Sequence, residues 1–130
     1  MARLFVDGMN VIGGRPTGWW RDRPGAARTL LRQLQDLRAR HPASEDDLVL
    51  VLDGRPLPDL PEGRHEGVLL LYAPRPGANA ADDRIVAELE LDPRPQEALV
   101  VTSDRDLRDR VTRLGARVEG ASALLRQFDP

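Results

Sequence analysis

Two of the most reactive side chains in protein chemistry are missing from this chain. Its 130 residues contain no cysteine, which excludes disulfides, thiolate metal sites and cysteine nucleophiles. All 19 basic residues are arginine. The absence of lysine excludes Schiff-base chemistry, Walker A loops and receiver-type phosphoryl switches. Two histidines, His41 and His65, are too few for a histidine-rich zinc centre. No apolar run approaches the ~18 residues of a membrane helix. The N-terminus passes straight into an apolar strand pattern without a signal-peptide signature. The expectation is a cytoplasmic protein with no membrane association.

What is present suits one soluble globular domain spanning residues 1–130, with 41% hydrophobic and 31% charged residues. The net charge of −2 argues against a uniformly basic nucleic-acid coat. The distribution is uneven, however. From Arg15 to Arg28 there are four arginines and one acid, Asp22, around Trp19 and Trp20, a locally basic and aromatic stretch.

Short apolar runs bounded by turn signals read as strands buried on both faces. These cover residues 3–7, 47–52, Val68 to Ala73 and 98–102, with a short fifth strand at Ala116 to Val118. Residues 8–24 and 54–66 are rich in glycine and proline and read as loops. Helical spacing predicts helices from Gly25 to Arg40, from Asn79 to Leu91 with Asn79 as its cap, and from Asp104 to Leu114, with a last helical stretch at Ser122 to Phe128. Gly115 is placed to end the third of these. The alternation implies an α/β fold of three layers, a parallel five-stranded sheet with helices on both faces.

Three of the strands end in an acid: Asp7, Asp53, and Asp104 after Thr102-Ser103. Asp82-Asp83 opens a helix. Each has an ordinary explanation. Asp7-Gly8 and Asp53-Gly54 are common turn pairs, while Asn79 with Asp82, and Ser103 with Asp106, fit capping boxes. The coincidence points further, because parallel strands end on one edge, where open α/β folds bind ligands. At 100° per residue, Asp82 falls on the face of Ile85, Val86 and Leu89, whereas Asp83 falls at the rim. Asp104 shares the face of Leu107 and Val111, and Asp106 turns aside. The inner set is therefore Asp7, Asp53, Asp82 and Asp104, and the outer set Asn10, Asp83, Ser103 and Asp106. Oxygen-only ligands suit Mg²⁺ or Mn²⁺. Such an ion lowers the pKa of a bound water, enabling attack on phosphorus, and stabilises charge on the leaving oxygen. Asn10 offers an amide that could orient a phosphate without adding charge.

The segments Phe5-Val6-Asp7-Gly8-Met9-Asn10-Val11-Ile12, Leu52-Asp53-Gly54, Asn79-Ala80-Ala81-Asp82-Asp83-Arg84-Ile85 and Val101-Thr102-Ser103-Asp104-Arg105-Asp106 resemble, in order and spacing, the NYN domain of the PIN-like nuclease superfamily, especially its YacP-like branch. Met9 stands where relatives often carry an aromatic residue. The resemblance implies a metal-dependent endoribonuclease on a PIN-like fold, with Asp7, Asn10, Asp53, Asp82, Asp83, Asp104 and Asp106 as catalytic residues. Of these, Asp7, Asp82 and Asp104 would be the metal ligands. RNA, free or presented by the ribosome or another RNA–protein assembly, would be met by Asn10, Ser103, Arg15, Trp19, Trp20, Arg21, Arg23 and Arg84. Arginine binds phosphate bidentately and stacks on bases. Of the adjacent tryptophans, one is expected to pin the loop to the core and the other to face outward. The alternatives are a non-catalytic RNA-binding adaptor on the same fold and a DNA-directed flap nuclease, for which the chain is short. A haloacid-type phosphatase is disfavoured by Phe5 at the nucleophile position and by the missing lysine.

Overall fold

The computed structural model describes residues 3–14, 18–42, 46–77 and 79–128. Its sheet is built on the apolar runs: β1 (Arg3–Asp7), β2 (Asp47–Leu52), β4 (Val68–Tyr72) and β5 (Ala98–Val101), all mutually parallel. β6 (Arg117–Glu119) continues this arrangement beside β5. Among the described residues the sheet has six strands rather than five; with β3 (Gly63–His65) at one edge, the order is β3-β4-β2-β1-β5-β6. The additional strand, β3, pairs antiparallel with β4. It lies inside the segment expected to be a loop. Three residues with one glycine carry too little apolar pattern to announce a strand. They pair because Glu66 and Gly67, both at positive φ (45° and 89°), form a two-residue hairpin into β4.

The stretch 8–24, also expected to be a loop, contains α1 (Gly8–Gly13) and a single 3₁₀ turn at Trp19–Arg21. Six residues bracketed by glycines look like a loop in sequence, yet α1 buries Val11 and Ile12. Gly8 is required by close approach rather than by a turn. A Cβ there would lie 2.7 Å from Leu52 Cδ2 and 3.0 Å from the Val51 carbonyl oxygen. α2 (Arg23–Arg40) begins two residues earlier than expected, because the Asp22 carboxylate accepts a hydrogen bond from the Gly25 amide at 3.0 Å and Pro24 suits the first turn. The remaining helices are α3 (Ala80–Glu90), α4 (Arg105–Arg113) and α5 (Ala121–Phe128), close to expectation. No helix among the described residues is long and apolar enough to cross a membrane.

Neither expected capping box forms. Asn79 precedes α3 at φ 64° and makes no side-chain cap. Asparagine tolerates this left-handed backbone, which accounts for its presence there. α4 is capped by Asp104, whose Oδ1 accepts from the Leu107 amide at 3.1 Å, not by Ser103.

Alternate strand side chains enter two core clusters. Val6, Leu48, Leu50, Leu52 and Leu70 pack with apolar residues of α1, α2 and α5. Phe5, Val49, Val51, Leu71 and Val100 pack with those of α3 and α4. Leu30, Leu34, Ile85 and Leu107 are fully buried, and each such side chain contributes roughly 1.5–3 kcal/mol. The chain runs from β1 outward to β2 and β4, then returns to place β5 on the other side of β1. That reversal opens a crevice between the carboxyl ends of β1 and β5, the place where open α/β sheets bind ligands.

Candidate active site

The crevice is lined by acids. Asp7 closes β1 and is 5% exposed; Asp82, in the first turn of α3, is 6% exposed. Both are charged residues buried at the end of an otherwise apolar sheet. α3 lies against β1, β2 and α4, which brings Asp82 toward Asp7 and Asp104. Among the described residues, none of Asp7, Asp53, Asp82 and Asp104 forms an ion pair, although Asp47, Asp59, Asp83 and Asp92 all do. What sets Asp7 and Asp82 apart from the other acids without an ion pair among the described residues is that both are buried.

Their proton affinities register this lack of compensation. Burial raises the Asp7 carboxyl from 3.8 to about 6, the Thr102 hydroxyl pulls it down, and the charges of Asp104 and Asp53 push it up. Burial likewise raises Asp82 to about 6, helped by the charges of Asp7 and Asp104 and opposed by Arg110. Asp53, half-buried, is raised by burial and drawn down by Arg23. The charge of Asp104 thus acts on both Asp7 and Asp82, and that of Asp7 on Asp82, whereas the shift of Asp53 comes mainly from its own burial. Perturbed carboxyls in a cleft are a signature of functional sites.

Thr102 is the residue that sequence reasoning missed. It is fully buried, and its hydroxyl donates to Asp7 Oδ2 at 2.9 Å while accepting from the Asp104 amide at 3.1 Å. One side chain therefore ties the two strand-end acids together. Its own amide donates to the Glu119 carbonyl at 2.9 Å, anchoring the turn to β6. The signal available was a threonine directly after an apolar strand and two residues before an acid. Asn10 and Ser103 form a second tie: the Ser103 amide donates to Asn10 Oδ1 at 2.8 Å, and Ser103 Oγ accepts from the Ala121 amide at 3.1 Å. Asn10 thus joins α1 to the loop carrying Asp104.

The other expected site residues are more dispersed. Asp83 sits at the rim, as the helical geometry predicts, and is held by Arg75 and by Arg110 at 2.9 Å. Those arginines keep its carboxyl below the usual range. Asp106 is exposed on α4. The Arg84 guanidinium is committed to Glu62 (2.9 Å), the Tyr72 carbonyl (3.0 Å) and Glu88 (3.3 Å), a clamp between α3 and the sheet edge. The tryptophans divide as expected. Trp19 packs on the core, and Trp20 is 58% exposed. Their rings meet edge to face at 6.2 Å, with Arg23 over Trp19 and Arg21 over Trp20. Arg15 lies outside the described residues.

Among the described residues, no three His, Cys, Asp or Glu side chains form a ready-made metal cage. Carboxylate oxygens are the donor type that hard cations take. Mg²⁺ needs only one or two direct carboxylates, keeping waters and substrate phosphate for the rest.

No protein-family model matches the chain, and no curated protein matches its sequence. Among solved structures, it is similar to Rae1 (YacP) from Bacillus subtilis and to the W164L mutant of that protein. Each is 22% identical with a TM-score of 0.75, over 99% of this chain and 74% and 76% of theirs, respectively. The YacP-like fold suggested by the motifs is therefore shared, and at this identity the likeness is one of fold.

Proposed function

We propose that this chain is a metal-dependent endoribonuclease on a three-layer PIN-like fold of the NYN type. The observation that carries the reading is the burial of Asp7 and Asp82, without ion-pair partners among the described residues, beside Asp104 at the sheet's switch point. A purely structural site would pair or neutralise these acids, because unpaired buried charge is costly. Asp7, Asp82 and Asp104 would hold Mg²⁺ or Mn²⁺, directly or through water, with Asp53 at the outer end of the row. When bound, the ion supplies charge neutralisation and acidified water for attack on a phosphodiester.

The chain's own residues do the rest. Thr102 fixes the Asp7 carboxylate and the Asp104 backbone relative to each other. Asn10 holds the Asp104 loop through its carbonyl oxygen, which leaves its NH₂ group to face a phosphate oxygen. Arg110, paired with Asp83, limits the charge on the Asp82 side of the crevice. Trp20 and Arg21 present an aromatic face and a cation to unpaired bases, a pairing that suits single-stranded RNA.

The test is cleavage of labelled single-stranded and structured RNA with Mn²⁺, with Mg²⁺ and with chelator, beside Asp7→Asn and Asp104→Asn. Asparagine preserves the α4 cap, so the second variant tests charge rather than folding. Cleavage should require metal and fall by about a hundredfold or more in each variant. Cleavage that survives chelator, or both substitutions, would reject the assignment. Binding without cleavage under any metal would favour the adaptor.

A further inference from the structure

A cavity of about 290 Å³ has Asp53 in its lining. Met9, Ala27, Leu52, Leu57 and Tyr72 give it apolar walls, and Asp53, Arg23 and Arg55 are its charged lining residues. We infer that this cavity receives one unpaired nucleobase of the RNA, extruded next to the phosphodiester that lies over Asp7 and Asp82, with Arg23 and Arg55 holding the adjoining phosphates.

Four observations support this reading, which rests on the nuclease proposal above. The cavity neighbours the site, since its lining includes Asp53, directly after β2 and near enough for its charge to act on Asp7, and Met9, two residues beyond Asp7. Its size suits one flat ring system, as drug-sized ligands take ~300–1,000 Å³. Its walls are fixed before any ligand arrives. The Tyr72 hydroxyl accepts from the Leu57 amide at 3.2 Å and donates to the Leu60 carbonyl at 2.7 Å. Asp59, in the same turn, is gripped by Arg28 through two hydrogen bonds of 2.8 and 3.0 Å. Finally, the charge is complementary to RNA. Arg55 is exposed and makes no ion pair among the described residues, while the Arg23 guanidinium lies 5.2 Å from the Trp19 ring centroid. Apolar walls with cations at the mouth suit a base with its phosphate, because every base has a π face and RNA readers splay unpaired bases into such sites. A fully paired duplex could not supply the base, so the substrate would be unpaired at this nucleotide.

The experiment scans a short single-stranded RNA, removing one base at a time. Binding is measured by fluorescence anisotropy in chelator and cleavage with Mn²⁺, for the wild-type protein, Arg55→Ala and the cavity-filling Leu57→Phe. The expected result is one position, at a fixed distance from the cleaved bond, where loss of the base weakens wild-type binding and kcat/KM by roughly 5- to 150-fold, the span of base stacking. That step should vanish in Leu57→Phe. In Arg55→Ala, whose exposed side chain leaves folding intact, binding should weaken uniformly along the scan. A flat binding profile in the wild-type protein, or no RNA binding at all, would overturn the cavity proposal. A flat profile with active cleavage would do so while leaving the nuclease reading standing. A stepped binding profile without cleavage would support the cavity and reject the nuclease.

Discussion

Replacing Asp7 by asparagine should make the metal-free protein more stable at neutral pH. In the unfolded chain the carboxyl titrates near its ordinary 3.8; in the folded protein it titrates at about 6. Between those values the folded state holds a proton that the unfolded state has released. The stability this group contributes is therefore complete below pH 4, falls as pH rises through about 6, and is absent above. At ~1.4 kcal/mol per tenfold change in proton affinity, the full effect is about 3 kcal/mol. Asp82 titrates in the same range and is raised partly by Asp7, so the two act as a coupled pair and their contributions do not add. Asparagine keeps an acceptor for the Thr102 hydroxyl and removes the charge. A gain of ~1–3 kcal/mol at pH 7 follows, or about 3–10 °C in melting temperature for a domain of this size. The assay is thermal and urea unfolding of both proteins in chelator from pH 4.5 to 8. The difference between the two curves isolates this group from the paired acids elsewhere, and it should grow from pH 4.5 to about 6.5 and then level off. Millimolar Mg²⁺ should narrow the gap by stabilising only the wild-type protein. Destabilisation by Asp7→Asn at pH 7, with a difference curve flat in pH, would refute the reasoning and make Asp7 a structural residue.

Other consequences are as direct. Thr102→Val removes the tie between Asp7 and the Asp104 amide; it should cost about 1–3 kcal/mol in urea unfolding, for the amide left without its acceptor. Because the hydroxyl holds the Asp7 carboxyl down, the pH step in stability should also move upward. Gly8→Ala drives a methyl group against Leu52 and the Val51 carbonyl, so a loss of ~1–3 kcal/mol is expected, measurable as a lower melting temperature. Trp20→Ala should leave the melting temperature within about a degree, since the ring is 58% exposed. It should weaken binding of single-stranded RNA by ~1–3 kcal/mol, read by anisotropy in chelator.

The parts of the structure legible in the sequence are those in which composition and position agree. Val49 to Leu52 could scarcely be anything but a buried strand, and an aspartate ending three such strands breaks the apolar pattern where a sheet edge must lie. Asp82 could be told from Asp83 because helical geometry alone decides which faces the core. What stayed hidden depends on contacts between distant segments. β3 exists because a positive-φ hairpin folds it onto β4, and Glu66-Gly67 is a weaker turn signal than Asn-Gly. α1 is too short to show a period, and the need for Gly8 is visible only once β2 lies beside it. Thr102 became significant only when Asp7, 95 positions away, was found within hydrogen-bonding distance. Arg84, promising beside two acids, is taken up by Glu62, and no local pattern announces that partner.

The central claim is that uncompensated acids at one sheet edge share a hard cation. Calorimetric titration of Mn²⁺ into the RNA-free protein tests it most directly, at pH 7.5 and again at pH 5, where Asp7 and Asp82 hold protons. Saturable binding at pH 7.5 that weakens at pH 5 and disappears in both Asp7→Asn and Asp82→Asn is the predicted result. Binding that ignores both substitutions and the change of pH would contradict the claim.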